Sequence, residues 1–188
     1  MDRLKIYLDT FSQVEDKEWE LLCSKLEPFA FEKREIMLKM GAVENYLYFL
    51  TDGVIRYYLP KDENDVTFGF GFEDGLASGY DSFITQGPSN FQIETLTPTQ
   101  GWRISYAGLT EIYQKTKVGC TLGRLIAETL IVNSIKREIS LLNTTAEERY
   151  QNLFIERPKF LQEIPLKYLA SYIGVTPQAL SRIRKRIS

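Results

Sequence analysis

The hydrophobic pattern of this chain turns helical near Tyr106 and stays so to the end, after a long stretch of strand-like runs that begins at Phe29. Upstream, Phe, Tyr, Val, Ile and Thr gather in short runs at 29–31, 35–38, 46–50, 54–59, 66–72, 91–96 and 101–104. Turn formers separate the runs: Gly41, Asp52-Gly53, Lys61-Asp62-Glu63-Asn64, Glu73-Asp74-Gly75, Gly87-Pro88 and Pro98. Many short strands at regular spacing predict an antiparallel barrel or jelly-roll-like sandwich. Asp52-Gly53 between two such runs predicts a hairpin, because Gly tolerates positive φ. Downstream of Tyr106 the apolar residues recur at helical spacing. With 188 residues, 44% of them apolar, the chain can bury a core without staples.

Composition removes several chemistries. The chain has no histidine, which excludes His-based triads, HExxH zinc sites and the cupin-type metal centre. Cys23 and Cys120 form no CxxC pair and, with no secretion signal at MDRLKIYLDTF, predict reduced, buried thiols in a cytoplasmic protein. No apolar stretch of about 20 residues is expected to span a bilayer, since residues 122–142 are interrupted by Arg124, Glu128, Lys136, Arg137 and Glu138. Charge is uneven within a net of −2. Residues 1–142 carry 15 basic and 21 acidic side chains, and residues 143–188 carry 8 and 4. An acidic body with a basic tail suggests a polyanionic partner, against the plainer reading of a solvated helix face.

Ser12-Gln-Val-Glu15 has capping-box spacing ahead of a helix expected over 16–26 and closed by Pro28. A short helix is expected over 108–117 and a long one over 121–142. On the long helix Leu122, Leu125, Val132, Ile135, Ile139 and Leu142 mark one apolar stripe, and Ile126, Leu130 and Ile131 widen it. So wide a stripe predicts a helix packed on its own domain and on a second copy, a dimer interface, unless the helix is wholly buried in a monomer. Thr145-Ala-Glu-Glu148 is a second capping box, with Asn143-Thr144 as the hinge before it.

Residues 166–186 read LKYLASYIGVTPQALSRIRKR. Leu169, Ile173, Val175, Leu180 and Ile183 are apolar where two short helices must face each other, and Ala170 lies at their crossing. Gly174 suits a left-handed helix end, Thr176 an N-cap and Pro177 a first helical position. The pattern is a helix-turn-helix, whose second helix enters the major groove of double-stranded DNA. Its outward residues are Thr176, Gln178, Ser181, Arg182, Arg184, Lys185 and Arg186. Arg can grip guanine O6 and N7, and Gln adenine N6 and N7; trailing cations suit phosphates. An αα-hairpin that binds nothing is the plainer alternative.

This layout resembles the Crp/Fnr transcriptional regulators over nearly the whole chain. FEKREIMLKMGAVENYLYFLTDGVIRYYL (31–59) looks like the family's cyclic-nucleotide-binding-type roll, and IPLKYLASYIGVTPQALSRIRKRI resembles its DNA-binding end. The resemblance implies an α+β chain. It would have an N-terminal antiparallel β-roll of double-stranded β-helix or jelly-roll type over 1–118, with its leading helix. A long dimerisation helix would follow over 119–142, and a winged-helix-type helix-turn-helix over 143–188. A β-wing, if present, has room only at 160–164. Double-stranded DNA, a second copy of the chain, a small-molecule effector and RNA polymerase are the implied partners, with no membrane.

The departures narrow the chemistry. Cyclic-AMP-responsive members supply a Glu and an Arg-Ser pair from a short cassette; here SGYDSFITQGPSNF puts Gly79 and Ser89-Asn90 at those places. Arg meets a phosphate with two bonds, and Ser cannot replace it. Cyclic AMP is therefore not the expected effector. Iron–sulfur members need four cysteines and haem members commonly use histidine, so neither cofactor is expected. An effector of another kind would be lined by Ser78, Gly79, Tyr80, Asp81, Ser82, Ser89 and Asn90, with Asn133 and Ser134 from the long helix; a closed structural core is the alternative. The recognition helix carries Pro177, Gln178 and Arg182 where members often have Arg-Glu-x-x-x-Arg, so its base preference is its own. Two other classes stay open: an interaction protein or anti-regulator on the same fold, and a His-free cupin-like enzyme with a carboxylate site among Asp62, Glu63, Asp65, Glu73 and Asp74.

Overall fold

The computed structural model describes residues 1–62 and 64–187, so Glu63 of the conjectured carboxylate site lies outside the described residues. Two compact units emerge, one of Met1–Tyr58 with Phe70–Thr129, the other of Leu59–Gly69 with Leu130–Ser188. The helices are α1 (Asp2–Asp9), α2 (Asp16–Cys23), α3 (Tyr80–Thr85), α4 (Tyr106–Lys115), α5 (Lys117–Asn143), α6 (Ala146–Glu156), α7 (Pro158–Glu163), α8 (Leu166–Ile173) and α9 (Pro177–Ile187). The strands are β1 (Leu26–Phe31), β2 (Ile36–Leu38), β3 (Tyr46–Asp52), β4 (Ile55–Leu59), β5 (Val66–Gly71), β6 (Gly75–Ala77), β7 (Gln92–Thr95) and β8 (Thr99–Ser105).

The strands form two four-stranded sheets, ordered β1-β8-β3-β6 and β2-β7-β4-β5. Antiparallel pairing runs from Leu26 opposite Ile104 to Phe31 opposite Thr99, and from Tyr46 opposite Ser105 along β3. Pro28, expected to end a helix, lies in edge strand β1 opposite Trp102, where an outward-facing backbone need not donate. Strand alternation divides the apolar residues between two cores. Tyr48 and Leu50 pack with Phe29, Leu38, Ile55, Ala77 and Ile93 inside the roll, with Phe31, Tyr46, Tyr57 and Phe91 around them. Phe49, one position out of phase, packs on the other face with Leu4, Leu8, Val14 and Leu122.

Asp52-Gly53 does not make the expected hairpin: β3 and β4 belong to different sheets, so the turn carries the chain round a corner. Gly53 is needed there for two reasons. Its φ is +102°, and an added Cβ would come within 2.6 Å of the Thr99 Cα. The Ser12–Glu15 capping box is not formed either. Glu15 itself is the N-cap and makes no side-chain cap, while the Asp9 carboxylate takes the Val14 N–H at 3.0 Å. Asp9 thereby closes the turn after α1, a helix with no expected counterpart in the sequence.

Helix α5 has 27 residues and is about 40 Å long. Contrary to expectation, it is by length and composition long and apolar enough to cross a membrane: an 18-residue stretch within it carries at most two charged residues, the five charges of 122–142 being unevenly spread. Its first turns bury Gly119 and Leu122 against the first unit's core, but Cys120 between them is exposed and Cys23 is only half-buried, so the thiols are not buried as expected. From Leu130 onward, in the second unit, Ile131, Val132, Ile135, Ile139 and Leu142 are exposed beside Lys136 and Glu138.

The Thr145 box is fully formed. Its hydroxyl oxygen accepts from the Glu148 N–H, and the Glu148 carboxylate accepts the Thr145 N–H at 2.8 Å. Residues 160–164 hold no wing. Pro158, a favoured first helical residue, starts α7 there, and among the described residues no strand follows Ser105. Tyr150, Leu153, Phe160, Ile164, Leu169, Ala170, Ile173, Leu180 and Ile183 are the buried apolar residues of the second unit.

Candidate nucleic-acid interface and effector cassette

Helix α8 ends at Gly174, φ +91°, whose N–H donates to the carbonyls of Ala170 (3.0 Å) and Ser171 (3.1 Å). The left-handed residue turns the chain so that Val175 N–H also reaches Ala170. Thr176 then caps α9, its Oγ1 accepting the Ala179 N–H at 3.2 Å, with Pro177 first in the helix. Leu180 and Ile183 turn inward and are buried, as are Ala170 and Ile173 of α8. The inward placement of these residues fixes what α9 shows outside. Gln178 and Arg182, one turn apart, are exposed, followed by exposed Arg184, Lys185 and Arg186.

Not every expected residue is equally available. Ser181 is half-buried and donates its hydroxyl to the Pro177 carbonyl at 2.9 Å, and Thr176 is engaged as the cap. Arg186 is paired with Glu147 at 2.8 Å, an exposed bridge that a phosphate can displace. Gln178, Arg182 and Lys185 have no side-chain partner among the described residues.

Three residues the sequence did not single out hold this helix pair in place. Ser171 of α8 accepts the Thr67 N–H at 2.9 Å and donates to the Asp65 carbonyl at 2.9 Å, fastening the Leu59–Gly69 segment to α8. Arg137 of α5 lies over the Tyr172 ring at 3.8 Å and donates to the Tyr172 carbonyl. Arg149 of α6 donates to the Ile173 carbonyl at 2.9 Å and to the Thr144 carbonyl. Both guanidiniums satisfy carbonyls at helix ends, where cations are favoured. Burial holds Arg137 below its ordinary pKa. No local pattern announces the bonds to Tyr172 and Ile173, because those carbonyls lie 35 and 24 residues from their donors.

The cassette turns its polar groups inward. Ser78 donates to the Tyr46 carbonyl at 2.9 Å. Ser82 donates to Gly87 and accepts the Glu44 N–H at 2.9 Å. Ser89 donates to the Phe91 carbonyl at 3.0 Å. All three serines are buried. Glu44, only 2% exposed, directs its carboxylate at the Gly79 N–H (3.4 Å) and the Tyr46 N–H (3.0 Å). Burial pushes this carboxyl above its ordinary range, and those backbone N–H groups oppose the shift. A side chain at Gly79 would place its Cβ 2.3 Å from Leu38 Cδ2, so a Glu there would force the buried Leu38 side chain to move. Asp81 and Asn90 are exposed, Tyr80 is half-buried, and Asn133 and Ser134 are exposed in the second unit. Within the first unit the three serines therefore face inward, while Asp81 and Asn90 face solvent.

No protein-family model and no curated protein matches the chain. Solved structures do. FixK2 from Bradyrhizobium japonicum is 18% identical with a TM-score of 0.72, over 86% of this chain and 84% of that one. The chain has the Crp/Fnr fold. A putative Crp/Fnr-family transcriptional regulator from Eubacterium rectale is 15% identical with a TM-score of 0.74, over 100% and 88% of the two chains. CLP from Xanthomonas campestris, a c-di-GMP-responsive global regulator, is 14% identical with a TM-score of 0.69, over 92% and 91%. In this fold the two sheets form a roll, and α8 and α9 form a helix-turn-helix. These structural neighbours are transcription regulators rather than enzymes.

Proposed function

We propose that this protein is a cytoplasmic, homodimeric, sequence-specific DNA-binding transcription regulator whose roll does not take cyclic AMP. The observation that carries the reading is the outward face of α9. It sets Gln178 and Arg182 one turn apart on a capped helix, with Arg184, Lys185 and Arg186 behind them and no acidic residue after Glu163. Arg182 would read a guanine and Gln178 an adenine, while Lys185 and its neighbours hold phosphates.

Pairing of two copies would use the exposed apolar residues of α5, Val132, Ile135 and Ile139. Leu125 is half-buried and at most borders that seam. Leu122 does not belong to it, because it is buried in its own unit's core. Against a cyclic nucleotide stand Ser89 in the place of the phosphate-binding Arg, its hydroxyl already bonded to Phe91, and the buried Leu38 side chain that crowds Gly79. A dimer would present two reading helices to half-sites about 34 Å apart, and RNA polymerase would be the partner of the bound regulator.

The test is selection of bound fragments from genomic DNA by the full chain, followed by a gel shift on the recovered site. Recovery of a palindromic site, unaffected by cyclic AMP, supports the reading. Recovery of no common sequence, with affinity equal to that for scrambled DNA, overturns it.

A further inference from the structure

The first unit contains a cavity of about 80 Å³ on the face of the β1-β8-β3-β6 sheet opposite the roll interior. Leu4, Leu8, Phe49, Leu122 and Ile126 supply much of its apolar wall, which draws on α1, β3 and the first turns of α5. An empty space of this size deprives its lining of dispersion contacts on one side. Two polar groups on the wall are also unused. Tyr80 and Tyr113 have no hydrogen-bond partner for their hydroxyls among the described residues. The Tyr113 hydroxyl lies over Gly123 of α5, where a Cβ would stand only 2.7 Å from it. Burial, with Tyr80 nearby, pushes Tyr113 up to about 12, so it stays a neutral donor. Glu18, also on the wall, bonds its carboxylate to the Val118 N–H at 3.3 Å and would repel an anion.

We propose that this cavity is a binding site for a small neutral aliphatic molecule carrying one oxygen, a short-chain alcohol or ketone, with its carbon chain among Leu4, Leu8 and Ile126 and its oxygen on the Tyr80 and Tyr113 hydroxyls. The size limit comes from the volume. A cavity of ~150 Å³ holds benzene and one of ~10–15 Å³ holds a water, so this one admits about three to five heavy atoms. A neutral oxygen satisfies the two hydroxyls without meeting the Glu18 charge. Val118, Leu122 and Ile126 belong to α5, so occupancy bears directly on that helix. The site shares Tyr80 with the 78–91 segment, and it does not depend on the DNA reading, because binding is read on the free protein.

The experiment is a methyl NMR titration of the full chain with 1-butanol and, separately, with xenon under pressure. Saturable shifts confined to Leu4, Leu8, Leu122 and Ile126 are expected with both. In the double variant Tyr80→Phe/Tyr113→Phe, butanol affinity should fall about five-fold while xenon affinity holds. Val118→Leu adds bulk at the wall and should abolish both without lowering the unfolding midpoint. Butanol shifts that never saturate or spread over the surface overturn the proposal. So does butanol affinity unchanged in the double Phe variant, which leaves a packing void only. The double variant decides the matter even where Val118→Leu folds poorly.

Discussion

The cassette around α3 and the face of α9 are both short, polar, glycine-bounded segments, and they use their polar side chains in opposite ways. In the cassette Ser78, Ser82 and Ser89 are buried and bonded to backbone carbonyls, and Glu44 comes from another loop to take the Gly79 N–H. On α9 the buried groups are Leu180 and Ile183, and Gln178, Arg182 and Lys185 face solvent. A polar residue type therefore does not mark a site. What marks one is whether the side chain's hydrogen-bonding capacity is already taken by the chain itself.

The strongest way to break this comparison is to open the cassette. Gly79→Glu, which restores the residue type of cyclic-nucleotide-binding members, should cost about 3 kcal/mol or more, because its Cβ meets Leu38 and its charge meets Glu44. Denaturant unfolding and calorimetry with cyclic AMP check it. Unchanged stability with a gain of nucleotide binding would mean the cassette is an open pocket. Val132→Asp should act next most strongly. A charge in an apolar seam costs about 2–4 kcal/mol when unpaired, and sedimentation at micromolar concentration should find a dimer for the wild type and a monomer for the variant. A wild-type monomer would remove the seam altogether.

Smaller effects sharpen the contrast between inward and outward groups. Thr145→Ala removes the capping hydroxyl and should lower stability by about 1 kcal/mol, read by urea unfolding. The two carboxylates Glu44 and Glu148 should give opposite pH slopes. Burial raises Glu44 above its ordinary 4.5, so its protonated form favours the folded state, and that contribution is lost as pH rises from about 4.5 through the raised value. The Thr145 N–H and hydroxyl lower Glu148, so its contribution is present above its ordinary value and lost as pH falls through the lowered one. Glu44→Gln should flatten the upper slope of a stability–pH profile, and Glu148→Gln the lower.

Legibility in the sequence followed the range of the interactions. Gly174, Thr176-Pro177 and the Thr145–Glu148 box act within a few residues, and each forms where the sequence places it. The eight strands were largely visible as apolar runs, apart from short β6. Sheet membership was not visible. The turn at Asp52-Gly53 reads the same whether it closes a hairpin or rounds a corner, and only pairing with β8 and β7 decides. Ser12–Glu15 failed because Asp9, outside the motif, closed the preceding turn. Arg137, Arg149 and Ser171 were invisible because their partners are backbone atoms up to 106 residues away. The aromatic filling of the roll was likewise a matter of which strand faces meet.

The central claim, that α9 reads DNA with an uncommitted face, is tested most directly by salt titrations of Arg182→Ala and Lys185→Ala on a selected site and on scrambled DNA. Arg182→Ala should cost about 1–3 kcal/mol per subunit on the selected site and leave scrambled-DNA affinity nearly intact. Lys185→Ala should weaken both DNAs alike and lower the salt slope by about one counterion per subunit. Equal losses for both variants on both DNAs would contradict the account, making Arg182 a phosphate contact and placing the reading face elsewhere.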